Sequence, residues 1–387
     1  MGFARLLHLV FSLLVFAGIT NGLICPFDSI YQLGDSFSDT GNLIRLPPDG
    51  PTFTAAHFPY GETFPGTPTG RCSDGRLIID FIATALNLPL LNPYLQQNVS
   101  FRHGVNFAVA GATALDRSFL AARGVQVSDI HSHLSAQLNW FRTYLGSICS
   151  TPKECSNKLK NALFILGNIG NNDVNYAFPN RTIEEIRAYV PFITEAVANA
   201  TREIIRLGGS RVIVPGIFPI GCVARNLNFL NFFPDGDKDD LGCLSSLNNL
   251  SIYFNSLFQR ALASLSIEFP QAVIIYADYY NAWRFLFRNG PALGSNSTSL
   301  LKCCCGIGGP YNYDPDRECG SRGVPVCPNP TQYIQWDGTH FTQAAYRRVA
   351  EYVIPGIIKA LKCSYSNIQP FLREGEGRQA LRLNERE

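Results

Sequence analysis

A serine, an aspartate and a histidine in this sequence have the residue types and settings of a nucleophilic triad. Ser36 follows a short apolar run, and sites in open α/β sheets lie beyond the carboxyl ends of the strands. Far along the chain, Asp337 stands three residues before His340. A serine hydroxyl needs a base that takes its proton, and that base needs a carboxylate that fixes its tautomer. Together the three residues can supply this chemistry, although either motif alone is more often structural.

Two further segments hold donors that suit a developing negative charge. Gly111 ends the second apolar run, and Asn172 follows the third run with a side-chain amide. A tetrahedral intermediate needs preorganised donors aimed at its oxyanion. The Ser36 amide, the Gly111 amide and the Asn172 side chain can supply three such donors. The alternative is a tight turn at Gly111 and an Asx-type turn at Asn172.

Five short apolar runs, separated by helical patterns, must position these residues. The predicted strands span residues 29–33, 105–109, 162–166, 211–216 and 272–276. They are continuously apolar, which suits strands covered on both faces. Helical patterns occupy residues 77–86, 244–267 and 344–361. Thr182 and Glu185 have the spacing of a capping box, and a further amphipathic stretch begins at Pro191. Alternating strands and helices predict a five-stranded parallel sheet between helical layers.

The composition favours one folded domain and excludes a binder of nucleic acid. Hydrophobic residues make up 46% of the 387 residues and charged residues 16%, so a substantial core is expected. The net charge is only +2, and no basic stripe of the kind that binds nucleic acid is present. No linker divides the pattern. We therefore predict a single domain over residues 24–370 and a flexible charged tail over residues 371–387.

The N-terminal segment predicts entry into the secretory pathway. Arg5 precedes an apolar run that reaches Thr20, which is typical of a signal peptide over residues 1–23. The run is shorter than the roughly 20 residues of a membrane span, so no stable membrane insertion is expected. The sequence does not distinguish an extracellular from a vacuolar destination. It does not fix the oligomeric state either, and we expect a monomer.

Cysteines and sequons agree with secretion. All 12 cysteines follow the predicted signal peptide, and their even number predicts up to six disulfides. Cys149–Cys155 and Cys222–Cys243 are plausible pairs, and the cluster at residues 303–305 suits disulfides better than a zinc site. Five Asn-x-Ser/Thr sequons predict glycan sites. They are Asn98, Asn180, Asn199, Asn249 and Asn296.

The four motif segments resemble, in their usual order, the signature blocks of the SGNH hydrolase superfamily. The segments at residues 59–64 (PYGETF) and 68–76 (PTGRCSDGR) resemble the plant GDSL esterase/lipase family. The resemblance covers roughly residues 28–362. It implies a three-layer α/β/α, flavodoxin-like SGNH-hydrolase fold and an esterase that uses an acyl-enzyme, with no metal or organic cofactor and a small-molecule ester as substrate.

The resemblance also implies a role for each matching residue. Ser36 is the expected nucleophile, His340 the general base and then acid, and Asp337 the carboxylate that orients His340. Gly111 and Asn172 are expected to join Ser36 in the oxyanion hole.

Three other residues follow from the same resemblance. Asp39 and Asn42 are expected to hold the Ser36 loop. Asn171 departs from the family, where glycine is usual, and asparagine tolerates a positive φ if one is required there.

Three rival functions remain open. A GDSL lipase would act on longer acyl esters. A glycosidase would use two carboxylates about 5 to 10 Å apart. A non-enzymatic wall or carbohydrate-binding protein would have no use for the complete set of Ser36, Asn172, Asp337 and His340.

Overall fold

The described chain folds around one parallel sheet. The computed structural model describes residues 27–48, 50–127, 132–228 and 237–363, so the predicted signal peptide (1–23) and tail (371–387) lie outside the described residues. The strands are β1 (Ser29–Leu33), β2 (Gly104–Asn106), β3 (Ala162–Leu166), β4 (Arg211–Pro215) and β5 (Val273–Ala277). Their order is β2-β1-β3-β4-β5, with every pair parallel. This is the flavodoxin-like order, and the predicted five-stranded parallel sheet is confirmed.

Burial along the strands depends on their position in the sheet. The central strands β1 and β3 are buried throughout and pair in register from Ser29 opposite Ala162 to Leu33 opposite Leu166. The predicted cover on both faces is wrong for β5, where Val273 is 37% exposed. Strand β2 ends three residues before its predicted end. Beyond it, the backbone amides of residues 107 and 109 still donate to residues 32 and 34, so the chain continues beside β1 towards Gly111.

Two layers of helices cover the sheet. The helices are α1 (Ile78–Ala85), α2 (Arg117–Ala121), α3 (Leu134–Ile148), α4 (Pro152–Leu159), α5 (Asn171–Ala177), α6 (Ile183–Arg187), α7 (Val190–Arg206), α8 (Ala224–Leu227), α9 (Ser245–Glu268), α10 (Tyr279–Asn289) and α11 (Gln343–Ala360). Helix α7 packs against α3 and α9, whereas α11 packs against α1 and α10. Both α9 and α11 contact β5, which gives the expected α/β/α sandwich. None of these helices combines the length and apolar character needed to cross a bilayer.

An aromatic cluster under α11 supports the end of the sheet where the triad residues meet. The Trp283 and Phe341 rings stack with centroids 3.8 Å apart, and Tyr346 meets Phe341 edge-on. The Phe37 ring lies 5.6 Å from the His340 ring and 5.8 Å from Phe341. Since the neighbours of Ser36 and His340 in the chain belong to one buried cluster, packing fixes the two backbones relative to each other.

Four disulfides cross-link the described chain. Cys149–Cys155 and Cys222–Cys243 form as predicted. The cysteine cluster forms two further bonds, Cys304–Cys327 and Cys305–Cys319. The expectation of up to six is too high, because Cys72 and Cys303 are buried free thiols. No three His, Cys, Asp or Glu side chains in the described ranges are grouped as metal ligands.

Candidate active site

Ser36, His340 and Asp337 meet in a chain of hydrogen bonds just beyond the carboxyl end of β1. The Ser36 Oγ lies 2.8 Å from His340 Nε2. On the other side of the ring, His340 Nδ1 lies 2.8 Å from Asp337 Oδ2 and 3.1 Å from Oδ1. Ser36 is 6% exposed and His340 9%, so the exchange of a proton between them is shielded from water. The three predicted residues therefore lie in the geometry that activates a serine hydroxyl.

Asp337 is held by donors from three sides. Its Oδ1 accepts the backbone N–H of Thr339 at 3.0 Å and of His340 at 2.8 Å, and its Oδ2 accepts the Tyr60 hydroxyl at 2.7 Å. Burial opposes ionisation, but the His340 ring and these donors outweigh it and lower the pKa of Asp337 to about 2. Burial likewise opposes a charge on His340, yet the Asp337 carboxylate raises the pKa of His340 well above its ordinary value. Asp337 is thus a fixed anion that orients the imidazole.

A tight turn presents Asp337 and His340 from the same loop. Gly338, between them, has a φ of +97°, and a Cβ at this position would collide with the Tyr313 ring. The Trp336 N–H donates to the His340 carbonyl at 2.8 Å and closes the turn. Glycine is therefore required here, both for its conformation and for the close approach of the aromatic ring.

Asp39 and Asn42 fasten the Ser36 loop to the chain that leads to Gly111. The buried Asp39 carboxylate accepts four backbone N–H groups, three within its own loop at residues 41–43 and one from Ala110 at 2.8 Å. The Asn42 amide donates to the carbonyls of Asn106 and Ala108, both at 2.8 Å. These contacts fix the distance between the two loops.

The three predicted oxyanion-hole donors, at Ser36, Gly111 and Asn172, each keep one N–H that has no acceptor within the described residues. The backbone N–H groups of Ser36 and Gly111 have no acceptor within the described chain, and Gly111 has a φ of +81°. The Asn172 amide donates one hydrogen to the Ala112 carbonyl at 2.9 Å, which leaves its second hydrogen for a ligand. The Asp173 carboxylate accepts the N–H groups of residues 114 and 115, so the start of α5 is tied to the Gly111 loop.

The positive φ in the segment that contains Asn171 lies one residue earlier, at Gly170. Gly170 has a φ of +109°, whereas Asn171 is the first residue of α5. A positive φ is therefore not required at Asn171, because the reversal of the chain is complete before the helix begins. The Asn171 side chain is buried, and its amide has no partner in the described part of the molecule.

Sequence reasoning missed three residues beside the triad. Tyr60 and Cys72 belong to the segments at residues 59–64 and 68–76 that resemble the plant family. They come close to Asp337 and His340 only in the folded chain. The Cys72 thiol lies next to the His340 ring, and burial raises its pKa, so it is an uncharged neighbour. Burial also raises the pKa of Asp35, directly before the serine, to about 7. The only sequence signal for Tyr60 and Cys72 was the family segment that contains them.

A cavity of about 20 Å³ adjoins the Ser36 hydroxyl. Its wall combines apolar side chains with amides near the expected oxyanion position. The lining includes Phe218, Ile220, Val223, Asn171 and Asn172. One water-sized probe needs roughly 10–15 Å³, so the space admits one small group beside the serine.

Comparison with known proteins agrees with this site. The family model described as GDSL-like lipase/acylhydrolase matches residues 30–353. The chain is 86% identical to acetylajmalan esterase 1 of Rauvolfia serpentina over the full length of both chains. It is 70% identical to acetylajmalan esterase 2 of the same plant over 94% of this chain and 100% of that one. Sinapine esterase of Brassica napus is 43% identical over 85% of this chain and 86% of its own. The chain therefore belongs to the GDSL-like lipase/acylhydrolase family and is a carboxylic ester hydrolase.

Proposed function

We propose that this esterase removes the acetyl group from an ajmalan-type indole alkaloid through an acyl-enzyme on Ser36. The hydrogen-bonded chain from Ser36 through His340 to Asp337 carries the mechanism. The substrate is suggested by the identity of 86% to acetylajmalan esterase 1 over the full chain.

The proposed reaction has two steps. His340 takes the proton of Ser36 as Oγ attacks the ester carbonyl, and the protonated ring then gives that proton to the departing alkoxide. Water, deprotonated by the same imidazole, attacks the acyl-enzyme and releases the carboxylic acid, while Ser36 regains its proton. In both steps the carbonyl oxygen becomes negative, and the N–H groups of Ser36, Gly111 and Asn172 stabilise it.

The small cavity at Ser36 favours acetyl over long acyl groups. A volume of about 20 Å³ holds a methyl group, whereas an octanoyl chain needs much more room. A GDSL lipase is the second candidate, because a larger cavity lies close to the first.

Chain-length preference separates the two candidates. Acetyl and octanoyl esters of one chromogenic phenol are compared by kcat/KM, with the acetyl ester of an ajmalan alkaloid beside them. We expect the acetyl ester to be preferred and the alkaloid ester to react best. A preference for octanoyl would make the enzyme a lipase and leave the triad unaffected.

Replacement of the nucleophile tests the mechanism. Ser36→Ala is expected to abolish measurable esterase activity, since loss of a triad serine costs about a million-fold in turnover. Asn172→Ala removes one oxyanion donor and is expected to retain a detectable remnant, about a hundred- to thousand-fold below the parent. Initial rates on the acetyl phenol ester measure both, with thermal unfolding as the check on folding. Full activity in Ser36→Ala would refute the mechanism.

We also propose that the chain is a secreted, monomeric glycoprotein with one domain at residues 24–370. The five sequon asparagines are all exposed, which is necessary for a glycan. The four disulfides between described residues suit an oxidising compartment. Treatment of plant-expressed protein with a peptide N-glycosidase is expected to lower its apparent mass. An unchanged mass would contradict the glycoprotein assignment, and fractionation distinguishes the vacuole from the cell exterior.

A further inference from the structure

A second and much larger cavity lies directly beside the small cavity at Ser36. Its volume is about 760 Å³, which is within the range of about 300–1,000 Å³ that small-molecule pockets occupy. Asn175, Arg225 and Asn226 line both cavities. The small space at Ser36 therefore adjoins a ligand-sized space.

We propose that this larger cavity, here called the alcohol pocket, binds the alcohol half of the ester while the acyl group occupies the small cavity. The assignment rests on the proposed acetylesterase function. The lining combines apolar side chains with Glu184, a carboxylate that has no side-chain partner among the described residues, and this combination suits the bulky, amine-bearing alcohol of the proposed substrate.

The apolar side of the pocket comes from three different elements. Phe178 follows α5, Ile183 begins α6, and Leu247 lies in the first turns of α9. Leu247 is fully buried, and Phe178 is packed against the core, so this wall is preformed. A rigid ring system loses little conformational freedom on entering such a pocket, and preorganisation of both partners favours binding.

The charges that line the pocket are not equivalent. Glu185 is engaged with the Thr182 N–H in the capping box of α6, and Arg181 donates to backbone carbonyls, one of them on Asn180. Glu184 is exposed, and neither it nor the Arg225 guanidinium has a side-chain partner within the described ranges. Two charges therefore remain available to a ligand.

The positions of these two charges set the orientation of the alcohol. Arg225 lines both cavities, so it lies at their junction, and we expect its positive charge to face the ester oxygens. Glu184 lines only the alcohol pocket. A carboxylate there attracts an ammonium, and the neighbouring Phe178 ring offers a face that also favours a cation. The amine of the alcohol is therefore directed away from Ser36.

A larger side chain in the alcohol pocket tests whether the alcohol half of the ester binds there. Ile183→Trp narrows the alcohol pocket without touching Ser36, His340 or the small cavity. Three acetyl esters are compared by kcat/KM: ethyl acetate, bornyl acetate as a neutral polycyclic ester, and the acetyl ester of an ajmalan alkaloid. We expect Ile183→Trp to lower the values for both bulky acetates by about tenfold or more, in the range that pocket contacts provide, and to leave ethyl acetate within about twofold.

Two controls accompany this variant. Ile183→Ala removes volume rather than adding it and is expected to keep both bulky acetates as substrates. Ile252→Trp places the same new side chain on the exposed face of α9, outside the pocket, and is expected to change none of the three rates. Activity on ethyl acetate shows in every variant that the protein is folded.

The outcomes distinguish a failure of the alcohol pocket from a failure of the proposed function. If the parent enzyme hydrolyses bornyl acetate but not the alkaloid acetate, the proposed function fails, and Ile183→Trp still decides the pocket through bornyl acetate. Unchanged rates on bornyl acetate in Ile183→Trp would overturn the alcohol pocket. A loss confined to an octanoyl ester would also overturn it, because the cavity would then hold the acyl chain.

The amine is tested separately with Glu184→Gln, which keeps the shape and removes the charge. We expect kcat/KM for the alkaloid acetate to fall about two- to fivefold, as for an exposed ion pair, with bornyl acetate unchanged. Glu195→Gln, an exposed glutamate of α7 outside the pocket, is the matched control. Equal rates of parent and Glu184→Gln on the alkaloid acetate would overturn the assignment of the amine.

Discussion

The triad carboxylate shares one oxygen between two donors, His340 and Tyr60. The Tyr60 hydroxyl lies 2.7 Å from Asp337 Oδ2, and its ring meets Trp336 edge-on. Burial and the nearby carboxylate raise the pKa of Tyr60 well above its ordinary value, so the hydroxyl keeps its proton and donates it. We therefore expect Tyr60 to act on the reaction through Asp337, as a positioning residue.

Tyr60→Phe isolates this hydroxyl. Hydrogen bonds to charged groups contribute about 1.5–3 kcal/mol, so we expect kcat on a short acetyl ester to fall about tenfold or more, with little change in KM. The carboxylate, with one donor fewer, holds the proton on His340 more strongly. The acid limb of the rate–pH profile is therefore expected to move to higher pH, as measured by kcat/KM across pH.

A merely structural effect would not move that limb. Tyr144→Phe is the matched control, since it also removes one hydroxyl, which donates to the Phe101 carbonyl at 3.2 Å and has no contact with the triad. An unchanged kcat together with an unmoved limb in Tyr60→Phe would rule out a positioning role for Tyr60.

The ionisation of His340 sets the pH dependence. Only the neutral ring can take the Ser36 proton, and the Asp337 carboxylate raises the pKa of His340 above the ordinary value. Activity is therefore expected to fall on the acid side, with a midpoint of kcat/KM above about 6.5. Asp337→Asn is expected to move the midpoint to lower pH and to lower kcat about 10⁴-fold.

Asp35 is a second group whose ionisation could produce the acid limb of the rate–pH profile, because burial raises its pKa to about 7. Asp35→Asn abolishes this ionisation and is expected to keep the acid limb in place. A limb that disappears in Asp35→Asn would assign the pH dependence to Asp35 instead of His340.

At the scale of elements, the carboxyl ends of β1, β2 and β3 deliver Ser36, Gly111 and Asn172 to one edge of the sheet. Strands β1 and β3 were predictable to the residue, because short, mainly apolar segments leave few other structures. Helix α10 was not predicted. Its sequence is rich in aromatic residues and asparagine, which have modest helix propensity, and the packing of Trp283 on Phe341 stabilises it instead.

Contacts between remote segments were equally invisible in the sequence. The hydrogen bond between Tyr60 and Asp337 joins residues 277 positions apart, and no local pattern specifies it. The same holds for the Asp39 contact with Ala110 and for the cavities, whose walls come from loops. The triad could be predicted from the sequence because chemistry restricts its residue types and their order. The shape of the pocket could not, because it depends on tertiary packing.

The helix that follows the histidine loop begins with a side-chain cap. Thr342 Oγ1 accepts the Ala345 N–H at 3.2 Å and donates to the Tyr333 carbonyl at 2.8 Å. Thr342→Ala removes both bonds, so we expect the free energy of unfolding to fall by about 1–2 kcal/mol. Thr342→Ser keeps the hydroxyl and is expected to lose less. Chemical denaturation measures both, and equal losses would show that the missing methyl group, not the cap, is responsible.

At the scale of the whole molecule, two disulfides cross-link the long region between α10 and α11. Cys304 and Cys305 donate their backbone N–H groups to the carbonyls of Gln335 and Trp336, at 3.0 and 2.8 Å. These are the residues directly before Asp337. Two bonds, Cys304–Cys327 and Cys305–Cys319, hold this segment, so the long region between α10 and α11 supports the triad loop instead of merely linking two helices.

Removal of single disulfides is expected to separate stability from activity. Cys305 and Cys319 are 14 residues apart and Cys149 and Cys155 six, so chain entropy gives about 3 and about 2 kcal/mol respectively for the two bonds. Each pair is replaced by alanine, and thermal unfolding and kcat/KM on an acetyl ester are measured well below either Tm. We expect both double variants to unfold at lower temperature, but only Cys305→Ala/Cys319→Ala to lose activity, because its cross-link lies beside the backbone that carries Asp337. Equal activity in the two folded variants would show that the turn at Gly338 and the Tyr60 contact hold the triad loop without the disulfide.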